Sequence, residues 1–414
     1  MLSALPAVAA LLLGVAFLML GNGLQSTLLG VRGAIESFSA VEIGLVMSGY
    51  YLGFALACLF GAAIIERVGH IRTFAAFASL ASAAAIVHAV FVDPWSWIAL
   101  RALTGACFAG LYMVIESWLN DRIPNAQRGS LMAVYMIVNL GAIAASQQLL
   151  NISDPAGFEL FVVASVLVSL AALPVALTSS SAPEPVPSDR MGFGELYLIS
   201  PLGTMGAFVT GLANGAMWGL VPLAGVRFGL STAAVATLMS LIVLGGVAFQ
   251  WPTGWLSDRI DRRKVIVLVT AIMVASCGAL YVVEGHDLNL LFALAFVFGG
   301  MSLVFYPLCA AHTNDRVEDM DRVQAVATLL LILGIGAAIG PLLGALTMDW
   351  FGASSVFLFM GGVMVLFLFF ALMRIRDSDA ATEEERSRFE PVIPTPTTAI
   401  LDPRIDPDEA HSEA

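Results

Sequence analysis

The chain has 414 residues, of which 59% are hydrophobic and only 12% charged, and its mean hydropathy is +0.88. A soluble domain needs far more charged surface, so the composition excludes a soluble enzyme or binding module and predicts a chain solvated mostly by lipid. The net charge of −12 is concentrated at the end of the chain: residues 377–414 hold 11 acidic and 3 basic side chains, which leaves −4 for the rest. The acidic balance therefore describes a tail.

Apolar stretches long enough to cross a bilayer recur along the chain. Backbone amides in hydrocarbon must bond within their own segment, which favours helices, and the alternation typical of a barrel strand is absent. We predict twelve helical spans, at residues 5–29, 40–64, 70–92, 95–119, 129–151, 158–178, 197–222, 232–256, 264–284, 288–312, 323–346 and 351–373. The first lacks a basic leader and a cleavage site, so we expect a helix there and not a signal peptide.

At a shift of about 192 residues the chain aligns with itself, which is the mark of an internal repeat. The aligned pairs include Asn22-Gly23 with Asn214-Gly215, Leu52-Gly53 with Leu244-Gly245, and Glu66-Arg67 with Asp258-Arg259. A long repeat inside a very apolar chain predicts two homologous membrane halves with a shared site between them. We place the halves at residues 1–178 and 196–374, with a cytoplasmic linker at 179–195 and a disordered acidic cytoplasmic tail at 375–414.

The basic residues predict the orientation in the membrane. Arginines lie in or beside alternate loops, whereas the opposite loops hold only Arg32 and Arg227. The positive-inside rule then places both termini in the cytoplasm, and an even number of spans agrees with that. The four cysteines all lie inside predicted spans, so we expect neither disulfides nor a metal site, and no cofactor.

Two related loops carry the most specific motif. The loop after span 8 runs from Gly254 through Asp258 and Arg259 to Lys264, reading GWLSDRIDRRK. It resembles the G-x-x-x-D-R-x-G-R-R/K signature of the major facilitator superfamily, with Asp261 in place of the second glycine. The counterpart after span 2 is a degraded copy, because Glu66 replaces the aspartate.

Further matches cover nearly the whole chain. The R-x-x-x-G motif of span 4 is resembled by Arg101 to Gly105. The YcaD-like branch of bacterial carriers is resembled at four places: Ile115-Glu116-Ser117, Ala133 to Met136, Gln250 to Gly254 and Phe305-Tyr306-Pro307. The resemblance implies an all-α integral membrane protein of the inner membrane, with twelve transmembrane helices in two homologous six-helix bundles. It also implies a cytoplasmic gate in which Asp258 acts as a latch with span 11. The residues of that gate are Glu66, Arg67, Arg72, Gly254, Asp258, Arg259 and Arg262. The alternative is that the arginines only orient the protein.

Two ionisable residues, Arg101 and Glu116, lie inside predicted span 4, where charge is costly and usually faces a cavity. At 100° and 1.5 Å per residue they share one face with Tyr112 and lie about 22 Å apart along the axis, too far to pair. Glu116 is either a protonatable switch or a structural carboxylate paired with an arginine such as Arg122. Arg101 either binds a substrate anion or is a hub of interhelical hydrogen bonds, which some relatives link to proton movement.

Polar residues on spans 1, 4, 5, 7 and 10 predict a solute cavity between the halves, and the resemblance places four of these spans around it. The candidate residues are Asn22, Gln25, Arg101, Tyr112, Glu116, Asn139, Gln147, Asn214, Trp218 and Tyr306. For any single amide, the alternative is an interhelical hydrogen bond of about 1 kcal/mol. As a group, they are better explained by a shared cavity.

The sequence therefore predicts a secondary carrier, not an enzyme, for a small organic solute, working by alternating access with proton coupling through Glu116 and Arg101. A nucleotide-binding loop and a nucleophile–base constellation are both absent from the sequence. We expect a monomer that contacts the lipid bilayer, its solute and protons, and no nucleic acid. The alternative is a membrane sensor or assembly partner of the same fold that signals through its acidic tail.

Overall fold

The computed structural model describes residues 5–122, 128–176, 191–317, 321–377 and 389. The regular elements in these ranges are all helical. They are α1 (Leu5–Ile35), α2 (Ala40–Val68), α3 (His70–Val90), α4 (Pro94–Arg122), α5 (Arg128–Gln148), α6 (Glu159–Leu170), α7 (Ala172–Ala176), α8 (Phe193–Ile199), α9 (Pro201–Arg227), α10 (Thr232–Arg259), α11 (Arg262–Val283), α12 (Leu288–Asn314), α13 (Arg322–Phe351) and α14 (Ser355–Asp377). Most of the predicted linker, and the predicted disordered tail after 377 apart from Phe389, lie outside the described residues.

Eleven of the helices in the described ranges are long and apolar enough to cross a bilayer. Their outer faces carry large exposed apolar side chains, such as Phe60, Trp251, Leu366 and Phe369. A helix that is apolar on its outward face as well as its packed face is suited to lipid and not to water. The predicted membrane class is confirmed.

The sixth predicted span differs from a single long helix. It consists of α6 and α7, which together form a shorter apolar segment, Glu159–Val175. Pro174 has no amide hydrogen to donate to the carbonyl of Leu170, so the helix is interrupted at Ala171. The seventh predicted span also begins later than expected, because Ser200 precedes Pro201 and adopts a non-helical backbone with φ −137° and ψ 76°. The residues before it form the separate short helix α8.

The two halves use the same close helix crossing. In the N-terminal half α2 crosses α4 at Gly53, where an added Cβ would lie 1.9 Å from the carbonyl oxygen of Ala102. In the C-terminal half α10 crosses α12 at Gly245, where a Cβ would lie 1.9 Å from the carbonyl oxygen of Phe296. Small residues let helix backbones approach this closely in membranes. The aligned glycines of the repeat therefore mark one crossing built twice.

The halves meet at one end of the bundle. We call the end with the α2–α3 and α10–α11 loops the signature end, and the other the opposite end. Toward the opposite end, a Cβ on Gly30 of α1 would lie 2.8 Å from the carbonyl oxygen of Gly219 of α9, and one on Gly44 of α2 would lie 2.7 Å from that of Pro341 of α13. There too, the amide of Gln148 on α5 donates to the Ser240 hydroxyl on α10 at 2.7 Å. These contacts close the seam at the opposite end.

Candidate transport site and signature loops

The guanidinium of Arg101 lies between three helices of the N-terminal half. It stacks over the Tyr50 ring of α2, with its central carbon 4.3 Å from the ring centroid, and one nitrogen is 3.4 Å from the Ser26 hydroxyl of α1. Asn22, one helical turn from Ser26, donates an amide hydrogen to the Tyr50 hydroxyl at 3.4 Å. Arg101, Tyr50, Ser26 and Asn22 thus form one cluster, which we call the arginine cluster.

The arginine cluster has unused hydrogen-bonding capacity. Arg101 is 2% exposed, yet its Nε and Nη1 atoms have no hydrogen-bond partner among the described residues, and neither has Oδ1 of Asn22. Within the same residues, no carboxylate forms an ion pair with Arg101. Burying a cation without a counterion destabilises the folded protein, and packing alone does not offset this free-energy cost. The arrangement can accept an anionic or oxygen-rich group.

Two predicted cavity residues are instead bonded into helix contacts. Gln25 is buried with its amide nitrogen 3.4 Å from Nδ1 of His88 on α3. Gln147 accepts a hydrogen bond from the Thr27 hydroxyl of α1 and donates to the carbonyl of Ile143, one turn earlier on α5. For these two amides the geometry agrees with the alternative of an interhelical hydrogen bond.

Glu116 lies deeper toward the signature end, at the interface of α4 and α5. Its side chain is 1% exposed and accepts a hydrogen bond of 2.9 Å from the Tyr135 hydroxyl of α5. About a turn away, Tyr112 donates to the Met19 sulfur of α1 at 2.9 Å. The amide of Asn139, also on α5, is fully buried and has no hydrogen-bond partner in the described part of the chain. Glu116 therefore has a neutral donor facing it, with a second polar group on the same helix as that donor.

The predicted residues of the C-terminal half are neutral. The Ser302 hydroxyl of α12 donates to Oδ1 of Asn214 on α9 at 2.5 Å. Tyr306 is buried, and its hydroxyl has no partner among the described residues. Trp218, one turn from Asn214, is half-buried. This half offers hydrogen-bonding groups and an aromatic ring but no charge.

The later signature loop is held by buried ion pairs. Arg262 donates to the Asp315 carboxylate at 2.5 Å and to the Ala311 carbonyl at 3.0 Å, both at the end of α12. The side chains of Arg262 and Asp315 are 2% and 1% exposed. Asp258, one turn before Arg262, pairs with it at 3.3 Å. The loop is thereby tied to the end of α12, within its own half.

Asp261 begins α11 in the same loop. Its carboxylate accepts hydrogen bonds from the backbone amide and the guanidinium of Arg263, at 3.0 and 2.7 Å. Partial burial raises the pKa of Asp261, but the hydrogen bonds and charge of Arg263 outweigh it, so the net pKa lies below the ordinary value. Asp261 stands where the family signature has glycine, and it acts here as a helix cap.

The earlier signature loop has a different structure. Glu66, Arg67 and Arg72 are all exposed and form no ion pair with the described residues. The side chains of residues 120–130, which include the repeat counterpart of Asp315, lie outside the described part of the chain. The loop is held on its described side by His70, which is buried with Nε2 3.2 Å from the Ser117 hydroxyl of α4, and not by an ion pair.

Sequence reasoning missed three partners in these sites. Tyr50 and Ser26 complete the arginine cluster, and no spacing or motif pointed to either. Asp315 belongs to a stretch, Asn314-Asp315-Arg316, that aligns in the repeat with Asn120-Asp121-Arg122. That alignment was the available signal for an acidic partner of the signature loop.

The family model for the Major Facilitator Superfamily matches residues 11–200 and 203–407. The chain belongs to the major facilitator superfamily. It is 26% identical over 370 residues to the uncharacterised MFS-type transporter YcaD of Shigella flexneri and of Escherichia coli, covering 89% of this chain and 95% of the relative. The predicted resemblance is confirmed.

Solved structures show the same fold. The nucleoside transporter NupG matches with a TM-score of 0.73 at 12% identity, over 89% of this chain and 99% of that one. A bacterial homologue of the lysosomal transporter Spinster matches with a TM-score of 0.71 at 15% identity, over 97% and 99%. As a superfamily member with bacterial relatives, this chain is a multi-pass inner-membrane protein of membrane transport and acts on small molecules.

Proposed function

We propose that this protein is a secondary carrier that moves a small organic solute by alternating access. The observation that carries the proposal is the arginine cluster, which holds a buried cation without a counterion among the described residues. The described contacts at the opposite end close the seam between the halves there. Two homologous halves around a polar site can rock to expose that site to either side. The halves would correspond to residues 1–178 and 196–374, joined by the linker at 179–195.

The groups without partners suggest the chemistry of the solute. Arg101 offers N–H donors, Asn22 offers a carbonyl oxygen, and the Tyr306 hydroxyl can donate or accept. Together they suit a small, uncharged or weakly anionic solute with oxygen acceptors. Trp218, one turn from Asn214 on α9, would add an aromatic surface.

Glu116 would couple transport to protons. A buried carboxylate between α4 and α5 can gain a proton when the site is closed to water and lose it when water enters. Because Glu116 lies between α4 and α5, its charge state would affect how these helices pack. Proton coupling through Glu116, with Arg101 on the same face of α4, supports a symport or antiport cycle.

The arginine-rich loops would face the cytoplasm, together with both termini. The signature end is then the cytoplasmic end, and the contacts that close the seam at the opposite end lie on the periplasmic side. Asp258 has Arg262 and Phe389 as its hydrogen-bond partners here, and neither belongs to α13. Its latch with span 11 would form only in the conformation closed at this end.

A thermal-shift screen of the purified protein against a solute library tests the site. A true ligand raises the unfolding free energy by about 2.7 kcal/mol at a hundredfold excess over its Kd. We expect a stabilising solute whose effect is lost in Arg101→Gln and in Asn22→Ala. A stabiliser that acts equally on both variants would bind elsewhere and would contradict the proposal.

The same screen at pH 5.5 and 7.5 tests the coupling. We expect the solute to stabilise the wild type differently at the two pH values and Glu116→Gln equally at both. Glu159→Gln, a change of an exposed carboxylate at the start of α6, is the matched control and should keep the wild-type difference. An unchanged pH difference in Glu116→Gln would remove Glu116 from the mechanism.

A further inference from the structure

Phe389, which follows α14 by twelve residues, packs against the signature end of α10. Its side chain is 8% exposed and belongs to the largest apolar cluster, which includes residues of both halves. Its backbone amide donates a hydrogen bond of 2.7 Å to Oδ1 of Asp258. An aromatic ring and a charge-assisted hydrogen bond therefore fix this point of the C-terminal segment to the signature loop.

The position beneath the ring is a glycine, and only a glycine fits there. A Cβ added to Gly254 would lie 2.3 Å from the Phe389 ring. Gly254 and Asp258 are one helical turn apart, so the ring and the amide of the same residue use adjacent positions on one face of α10. Phe389 therefore binds at a specific position and not on a general apolar surface. We call this position, formed by Gly254 and Asp258, the seat of Phe389.

That face of α10 is the one that meets the N-terminal half. Ser240 of α10 donates to the Ala144 carbonyl of α5 at 3.1 Å and accepts from Gln148. Asp258 lies eighteen residues after Ser240, which at 100° per residue is about five full turns and returns to the same side of the helix. Phe389 thus occupies, at the signature end, the side of α10 that touches α5 at the opposite end.

Charge complementarity supports this segment as the occupant. Residues 377–414 hold 11 acidic and 3 basic side chains, whereas the signature loop exposes the basic side chains of Arg259 and Lys264. Opposite charges on a tethered segment and its seat favour association. The tether is short, so the local concentration of Phe389 at its seat is high.

We propose that the C-terminal segment of this chain binds the signature end of α10 through Phe389 and keeps that end from closing against the N-terminal half. The segment is then an autoinhibitory contact: the seam between α5 and α10 closes only after Phe389 leaves Gly254 and Asp258. This inference rests on the proposed function, because closing the signature end is half of the alternating-access cycle. It adds a residue outside the bundle that sets how often the cycle runs.

Hydrogen exchange on the full-length protein tests the seat. We expect the Phe389 amide to exchange at least tenfold more slowly in the wild type than in Gly254→Ala, whose new Cβ displaces the ring. Gly278→Ala is the matched control, since a Cβ there meets no atom within 4 Å. A Phe389 amide that exchanges equally fast in the wild type and in Gly254→Ala would overturn the docking.

Spin-label distances test the autoinhibitory contact, which we call the brake, without any solute. Labels at Ala76 of α3 and Leu268 of α11, two exposed positions related by the repeat, would report the width of the signature end once the native cysteines are replaced. We expect Phe389→Ala to raise the short-distance population at least threefold, and Phe389→Leu to raise it less. Gly254→Ala added to Phe389→Ala should change nothing further, because both remove one contact.

An unchanged distance distribution in Phe389→Ala would overturn the brake, even if the seat is confirmed. This failure is distinguishable from a failure of the proposed function. The arginine cluster is probed by solute stabilisation in the Arg101 and Asn22 variants, and Phe389 contacts neither residue.

Discussion

The two halves of the bundle share a backbone plan and differ in where they bury charge. In the N-terminal half, α4 carries Arg101 and Glu116 within its apolar span, and Glu66, Arg67 and Arg72 of the signature loop are exposed. In the C-terminal half, the counterpart α12 contains no Asp, Glu, Lys or Arg, and buried charge lies at the signature end, in Arg262 and Asp315. Duplication preserved the helix crossings, and the polar chemistry of the two copies diverged.

The difference indicates a division of labour. Charge inside a membrane span is costly and usually faces a cavity or the bundle interior, and Arg101 and Glu116 place such charge in the N-terminal half. The ion pairs at the end of the C-terminal half instead make a rigid loop that can serve as a fixed contact for a moving partner. Changes to one half should therefore alter binding, and matched changes to the other should alter stability.

The largest expected effect comes from breaking the buried ion pair. Arg262→Ala leaves the Asp315 carboxylate buried without its guanidinium, which costs about 3–5 kcal/mol of unfolding free energy. Arg72→Ala, in the exposed loop of the other half, should cost less than about 0.5 kcal/mol. Thermal unfolding of both variants in the same detergent gives the comparison.

Equal losses in the two arginine variants would mean that the signature loops are equivalent. The asymmetry between the halves would then be confined to α4 and α12. Asp315→Asn should restore part of the stability in the Arg262→Ala background, since it removes a buried charge that has lost its Arg262 partner.

The glycine crossings are where the halves should agree. Gly53→Val and Gly245→Val each force a side chain into the backbone of the facing helix, and we expect losses at the upper end of about 1–3 kcal/mol in both. Gly141→Ala, where an added Cβ has no neighbour within 4 Å, should be close to neutral. If only one of the two variants lowers the unfolding temperature, the crossing helices of the unaffected half can separate to admit the side chain.

Much of the fold could be predicted because membrane helices are long, apolar and duplicated. The repeat aligns Gly53 with Gly245 from sequence alone, and both residues lie at the equivalent helix crossing of their half. The interruptions were harder to predict, because hydropathy does not record how proline acts on the backbone. Pro174 removes a hydrogen-bond donor within the sixth predicted span, and Pro201 restricts the backbone of Ser200 before the seventh.

The candidate site was predicted less completely. Charge within a span identified Arg101 and Glu116, because so few residues can be charged there. The amides were ambiguous: Gln25 and Gln147 bond to neighbouring helices, whereas Asn22 joins the arginine cluster through Tyr50. Helical angle alone cannot tell an inward face from a face that packs on a third helix, and that choice is made by tertiary packing.

A smaller effect, of opposite sign, is expected at Arg101. Arg101→Met keeps the volume, removes an uncompensated buried charge and loses one cation–π contact, so we expect the unfolding free energy to rise by about 1 kcal/mol. Arg101→Lys keeps the charge and should not show this gain. If Arg101→Met instead lowers the unfolding temperature, Arg101 is a structural hub and the solute site lies elsewhere.

The smallest expected effect concerns pH and the helix cap at Asp261. Because the pKa of Asp261 is lower in the folded protein than in the unfolded chain, its ionised form stabilises the fold at neutral pH, and this contribution is lost as the pH falls below about 4. The Asp261→Asn variant keeps a cap that accepts a hydrogen bond but cannot titrate. Its unfolding temperature should be slightly lower than that of the wild type at pH 7. It should also depend less steeply on pH below about 4. Asp93→Asn is the matched control in the other half, since Asp93 caps α4 through the Ser96 amide at 2.9 Å and its pKa is likewise lowered by hydrogen bonds from Ser96. Similar acid profiles for the two variants would assign the effect to helix capping in general. A larger change for Asp261→Asn would assign it to Arg263 and to the charged signature loop of the C-terminal half.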